Sequence, residues 1–138
     1  MSQRYPRNEI VDLMLKRFAE SSVKTVLVAD GDKEEYLADT IVLLDNAEVF
    51  QQSNQEQRCV LTVEVEINVF DENTPSHKAN SVWEELVYII GNNKNWGGFA
   101  SNTNILGTTK EVFYSGRKMA RLTANLQVIY VVDFYLRG

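Results

Sequence analysis

The acidic side chains are the first place to look for chemistry. Asp30, Asp32, Glu34 and Glu35 form a short run that evokes a calcium loop, in which alternate residues turn oxygen ligands onto one cation. That chemistry needs D-x-D-x-D-G with a distant glutamate, and the run lacks this spacing, so it reads as a solvated acidic turn. Glu64 and Glu66 stand two residues apart, which in a strand puts both carboxylates on one face, as a glycosidase pair would require. Without a second acid in a cleft, a polar sheet face explains them better, paired across strands with Arg121 or Lys118.

Other reactive groups are sparse. His77 is the single histidine and Cys59 the single cysteine, so a metal site would rest on carboxylates alone, and no internal disulfide can form. Cys59 opens an apolar strand face, where a thiol behaves as a small hydrophobe. His77 falls on the first turn of a predicted helix, where surface and capping roles are the common ones. No G-x-S-x-G elbow frames a serine nucleophile, and Trp96-Gly97-Gly98 and Gly107 do not make a phosphate-cradling loop. No catalytic residue, metal or cofactor is therefore expected, and a binding or assembly role is.

Composition narrows the class further. The 138 residues fit one domain, 1–138, and 44% hydrophobic with 24% charged residues is a globular balance. A net charge of -5 removes the usual electrostatic reason for holding nucleic acid or an anionic membrane. The opening residues Met1 to Arg7 carry no apolar run of the signal-peptide kind, so a cytoplasmic site of synthesis is expected.

The elements that must position these residues follow from periodicity. A helix is predicted from Asn8, as N-cap, to Ser21, with Ile10, Leu13, Met14 and Phe18 as its apolar stripe. Val23–Ala29 reads as a short strand. Ile41–Leu44 and Ala47–Phe50 read as a hairpin closed at Asp45-Asn46. Cys59–Phe70 has apolar odd positions and polar Thr62, Glu64, Glu66 and Asn68 between them, a strand of about 40 Å with one buried face. Thr74 and Pro75 open a second helix as N-cap and first residue, with Ala79, Val82, Trp83, Leu86 and Ile90 on one stripe and Gly91-Asn92 as the stop. After a loop holding Trp96 and Phe99, a strand near Ile105–Tyr114 turns at Ser115-Gly116 into a last strand whose even positions from Leu122 to Phe134 are apolar. The fold class is α+β: an antiparallel or mixed sheet with two helices on one face and a polar opposite face.

The Leu61–Ile67 strand, the Ser81–Leu86 helix and the closing Ala124–Val132 strand, in this order of elements, resemble the tail terminator proteins of long-tailed bacteriophages, of the lambda minor tail protein U type. The resemblance spans nearly the whole chain and is one of pattern and length. It implies a structural protein of which six copies form a homohexameric ring on the finished tail tube, ending polymerisation and offering a surface for head–tail joining. The implied partners are further copies of itself, the tail tube protein and the head connector or stopper protein. The implied location is the head-proximal end of the virion tail, with DNA passing through the ring.

Within that expectation, ring contacts join two different patches, and an acidic loop (Asp30, Asp32, Glu34, Glu35) meeting a basic turn (Arg117, Lys118) is the candidate pair. Glu64 and Glu66 are candidates for the bore, where acidic or neutral walls let DNA slide without adhering. Trp96 and Phe99, aromatics in a polar loop, are candidates for a partner interface, the alternative being that they tuck back over the core edge, as such aromatics in small domains more often do. The alternatives are another head–tail connector or tail-completion protein, a small α+β enzyme, or a monomeric ligand-binding domain.

Overall fold

The computed structural model describes residues 6–29, 38–53, 56–114 and 116–133. Its elements run α1 (Pro6–Phe18), β1 (Val26–Val28), β2 (Thr40–Ser53), β3 (Glu56–Phe70), α2 (Pro75–Asn92), a single 3-10 turn (Trp96–Gly98), β4 (Asn102–Tyr114) and β5 (Lys118–Asp133). One five-stranded sheet in the order β1-β2-β3-β5-β4 results. It is mixed: β1 runs parallel to β2, and every other pair is antiparallel.

Strict alternation in β3 and β5 builds the core. Leu61, Val63, Val65 and Ile67 of β3 are fully buried, as are Ala124, Leu126, Val128 and Tyr130 of β5, and the two rows face each other in register. α1 lays Ile10, Met14 and Phe18 over the β1–β2 side, and α2 lays Ala79, Val82, Leu86 and Ile90 over β3 and β5. Both helices therefore cover one face, and the opposite face presents Thr62, Glu64, Glu66, Thr123, Asn125 and Gln127.

Local expectations need four corrections. The first helix opens at Pro6, so Asn8 lies inside its first turn; proline suits that position because its missing N–H has no helical partner to lose. It also stops at Phe18, after which the Glu20 and Ser21 N–H groups donate to Arg17 and Phe18 and tighten the exit. The hairpin expected at Asp45-Asn46 does not form. β2 runs straight through, taking Asn46 up as a bulge between Asp45 and Ala47, and Arg7 Nε clamps the Asp45 carboxylate at 2.8 and 2.9 Å. Finally, Thr74 and Pro75 do stand as N-cap and first residue of α2, but the Thr74 side chain makes no cap hydrogen bond.

Asp71 holds that helix entry instead. Its carboxylate accepts the backbone N–H of Thr74 at 2.8 Å and of Asn73 at 2.9 Å, and these two bonds hold its pKa below the ordinary carboxylate value. A depressed acid adds stability that is complete above its unfolded pKa of about 4 and is lost as pH falls through the lower folded value. Asp71→Asn is expected to flatten that part of the acid limb. Equilibrium unfolding followed from neutral pH downward checks it, and an unchanged acid limb would refute the assignment.

Candidate functional site

The helix-free face of the sheet carries the polar constellation. On β3, Glu64 sits between Leu44 of β2 and Asn125 of β5, and Glu66 between Val42 and Thr123. Both carboxylates are half-buried between neighbouring strands. Glu66 is engaged: its Oε1 accepts Asn68 Nδ2–H at 3.0 Å and lies 3.4 Å from Arg121 Nε. Arg121 Nε in turn donates to Asn68 Oδ1 at 2.8 Å, and Asn68 has no exposed surface. The Arg121 guanidinium also stacks 5.2 Å from the Phe113 ring and reaches Glu111 at 3.7 Å. The centre of this face is thus a fixed hydrogen-bonded network with Glu64 beside it.

At the tip of the β4–β5 hairpin, Gly116 takes the left-handed conformation at φ 72°, and Arg117 and Lys118 follow it, exposed. Arg117 lies over the Phe70 ring at 4.3 Å. Beside them a groove of about 520 Å³ opens between the start of α2 and the hairpin, lined among others by Pro75, His77, Phe113, Tyr114 and Lys118. The acidic residues Asp30, Asp32, Glu34 and Glu35 lie outside the described residues.

Of the two readings of Trp96, the structure takes the inward one, and the residue is not available as a partner contact. Its indole is 1% exposed, meets Phe18 edge to face at 5.9 Å, and donates Nε1–H to Thr103 Oγ1 at 2.8 Å. Thr103 Oγ1–H in turn donates to the Lys94 carbonyl at 2.8 Å. A polar loop sequence concealed this because the loop folds back: Trp96 sits at φ 44° and Gly97 at φ 69°, turning the ring inward over α1. Phe99, two residues past that turn, remains 37% exposed.

Cys59 and His77 do not meet. Cys59 is at the far end of β3 and His77 follows the near end, roughly 35 Å of strand away. Burial, helped by the nearby Glu48 charge, pushes the Cys59 thiol up to about 11, which leaves it un-ionised and unreactive. Among the described residues no group of three or more His, Cys, Asp or Glu is placed to hold a metal ion.

Two surfaces escaped the sequence reading. β4 is an edge strand with a single buried residue, Thr103, and it exposes Ile105, Leu106, Val112 and Tyr114. On the opposite side of the sheet β1 pairs with Ile41–Leu43 of β2, and further along β2 Val49 and Phe50 have exposed side chains. The available signal was the poor period-two separation of apolar residues in 105–114, which does not bury one face.

No protein-family model matches the chain, and no curated protein matches it in sequence. A solved structure does share its fold. A chain of a native gene transfer agent virion superposes with a TM-score of 0.55 at 6% identity, over 91% of this chain and 94% of that one. The sheath/tube terminator of an extracellular contractile injection system in the extended state gives a TM-score of 0.46 at 10% identity, over 94% of this chain and 58% of that one.

Proposed function

We propose that this chain is a structural protein of a phage-like tail that caps the tail tube as a ring of six copies, ends tube polymerisation and presents the surface for head joining. The observation that carries this reading is the end-to-end fold likeness to a component of a gene transfer agent virion, in which nearly all of each chain is matched. The sheet supports it physically, because one face holds the core and the other carries Glu64 beside the Glu66, Asn68 and Arg121 network at its centre. Its partners in this reading are its own copies, the tail tube protein and the head connector, at the head-proximal end of the tail.

Deleting the gene from the particle-producing genome and imaging the particles tests the reading. Tails of irregular, overlong length without heads are expected. Tails of normal, uniform length with a proper head joint would overturn it; normal tails left unjoined would point instead to a connector or tail-completion protein.

Glu64 and Glu66 line the bore in this reading. Since Glu66 is tied to Asn68 and Arg121, Glu64 is the cleaner probe. Glu64→Lys is expected to slow DNA passage by placing a cation against passing phosphates, whereas Glu64→Gln leaves it nearly unchanged. DNA ejection kinetics of the two particles read the difference, and equal rates would remove Glu64 from the bore. Arg117 and Lys118, meeting the acidic 30–35 segment of the next copy, form the proposed contact between subunits. As an exposed ion-pair contact it weakens in high salt.

A further inference from the structure

We propose that the edge of β4 takes an extended segment of another protein as an added strand, one that carries a carboxylate and, two residues along, an apolar side chain on its helix-ward side. The inference goes beyond the ring reading and uses a surface which that reading leaves unassigned.

An edge strand turns a row of N–H and C=O groups outward, and folded proteins keep such edges short, charged or covered. β4 is long instead, with 13 residues that extend about 44 Å at the rise of a strand. It stands last in the sheet and pairs with β5 alone among the described residues. Every residue from Asn104 to Val112 is exposed, those turned to the helix side and those turned away alike, so both faces of this stretch lie open. Leu106 is 59%, Val112 54% and Tyr114 74% exposed, apolar surface of the kind that marks a contact site.

The side chains of β4 dictate what the added strand must carry. Lys110 Nζ donates to Asn80 Oδ1 of α2 at 2.9 Å, which fixes its side of the strand as the helix side. Residues two apart share a side, so Val112 and Tyr114 stand in the same row. Past Lys110 that row enters the groove of about 520 Å³ between the start of α2 and the hairpin, walled by Pro75, Val112 and Tyr114 among others. Asn80 is a neutral partner, and Lys110 makes no ion pair among the described residues. Glu111, the acid of β4, lies on the other face and reaches Arg121 at 3.7 Å. A carboxylate beside Lys110 and an apolar side chain two residues along, beside Val112 and over the groove, therefore complement the row. Main-chain pairing supplies the attachment and these two side chains the choice of partner, as in other strand-addition sites. A second copy's β4 does not supply them: with both sheets turned the same way, it brings another Lys110 and no carboxylate on that side.

Binding of a synthetic peptide to the full chain tests the inference. The peptide is acetyl-Thr-Val-Thr-Glu-Thr-Val-Thr-Val-Thr-amide, which sets Glu and Val two residues apart on one side. Hydrogen exchange reads the site: at saturating peptide the outward amides of 104–114 are expected to exchange on the order of tenfold or more slowly, with the other strands unchanged. A peptide with Lys in place of Glu is expected to bind several-fold more weakly. Lys110→Glu is expected to invert that preference and Lys110→Gln to remove it, and both variants keep the fold because the side chain is exposed. No slowing of these amides at millimolar peptide would overturn the proposal, as would equal binding of the two peptides by the wild-type chain. The same slowing in the chain alone as its concentration rises would also overturn it, since a second copy would then occupy β4. The tail-length phenotype of the gene deletion is independent of all these outcomes, so the ring reading is tested apart from them.

Discussion

Trp96→Ala is expected to cost about 3–5 kcal/mol, the range for removing a buried tryptophan. The ring is the largest of the fully buried side chains, and it fills the space between α1 and the start of β4. Its loss removes the edge-to-face contact with Phe18 and takes the Nε1–H donor away from Thr103. Thr103 is itself buried, although its hydroxyl keeps the Lys94 carbonyl as an acceptor. Trp96→Phe separates the two parts: it retains most of the apolar volume and the aromatic contact and loses only the hydrogen bond, so about 1–2 kcal/mol is expected. Urea unfolding of the three proteins measures both. A loss below about 1 kcal/mol for Trp96→Ala would mean that the 94–103 loop closes over the cavity and that the indole is no keystone of the fold.

That result bears on what a sequence can reveal. The two long central strands were legible because burial on one face forces an alternation that no other structure shares. Thr62, Glu64 and Glu66 mark the polar face of β3 as plainly as Leu61, Val63 and Val65 mark the core. The stripe of α2 was legible for the same reason at helical period. For Trp96 the sequence left an interface and an inward reading open, because its burial depends on backbone at φ 44° followed by two glycines also at positive φ, a shape that no apolar period records. The Asp45-Asn46 pair looked like a turn because polar residues interrupt an apolar run. What keeps β2 going there is Arg7, 38 residues away in sequence, meeting the Asp45 carboxylate. Edge status is less visible still: β4 is exposed because of where the topology leaves it, and topology is a property of pairing between distant segments.

The polar face was partly legible, and its energetics rest on one residue. The cross-strand pairing of Arg121 with the Glu64–Glu66 row follows from alternation, yet the structure routes it through Asn68, which sits directly opposite Arg121 and is fully buried. Arg121→Ala is therefore expected to cost about 2 kcal/mol, within the range for hydrogen bonds to charged groups. Most of that cost comes from leaving the Asn68 carbonyl oxygen without its donor. The ion pair with Glu66 adds less, because both side chains keep over a fifth of their surface in water, where screening is effective. The loss should accordingly change little between low and high salt. Arg121→Lys is expected to fall between the two, since an ammonium cannot present the planar fork that meets Asn68 and Glu66 together and still stack on Phe113. A double-mutant cycle with Glu66→Gln apportions the pair: a coupling below about 0.5 kcal/mol with a large single effect of Arg121→Ala places the stabilisation in the Asn68 bond. A strongly salt-dependent loss would place it in the charges instead. In that case Glu66 would be held mainly by Coulomb attraction, and the face that the ring reading turns toward DNA would owe its acidity to a balance that ionic strength can shift.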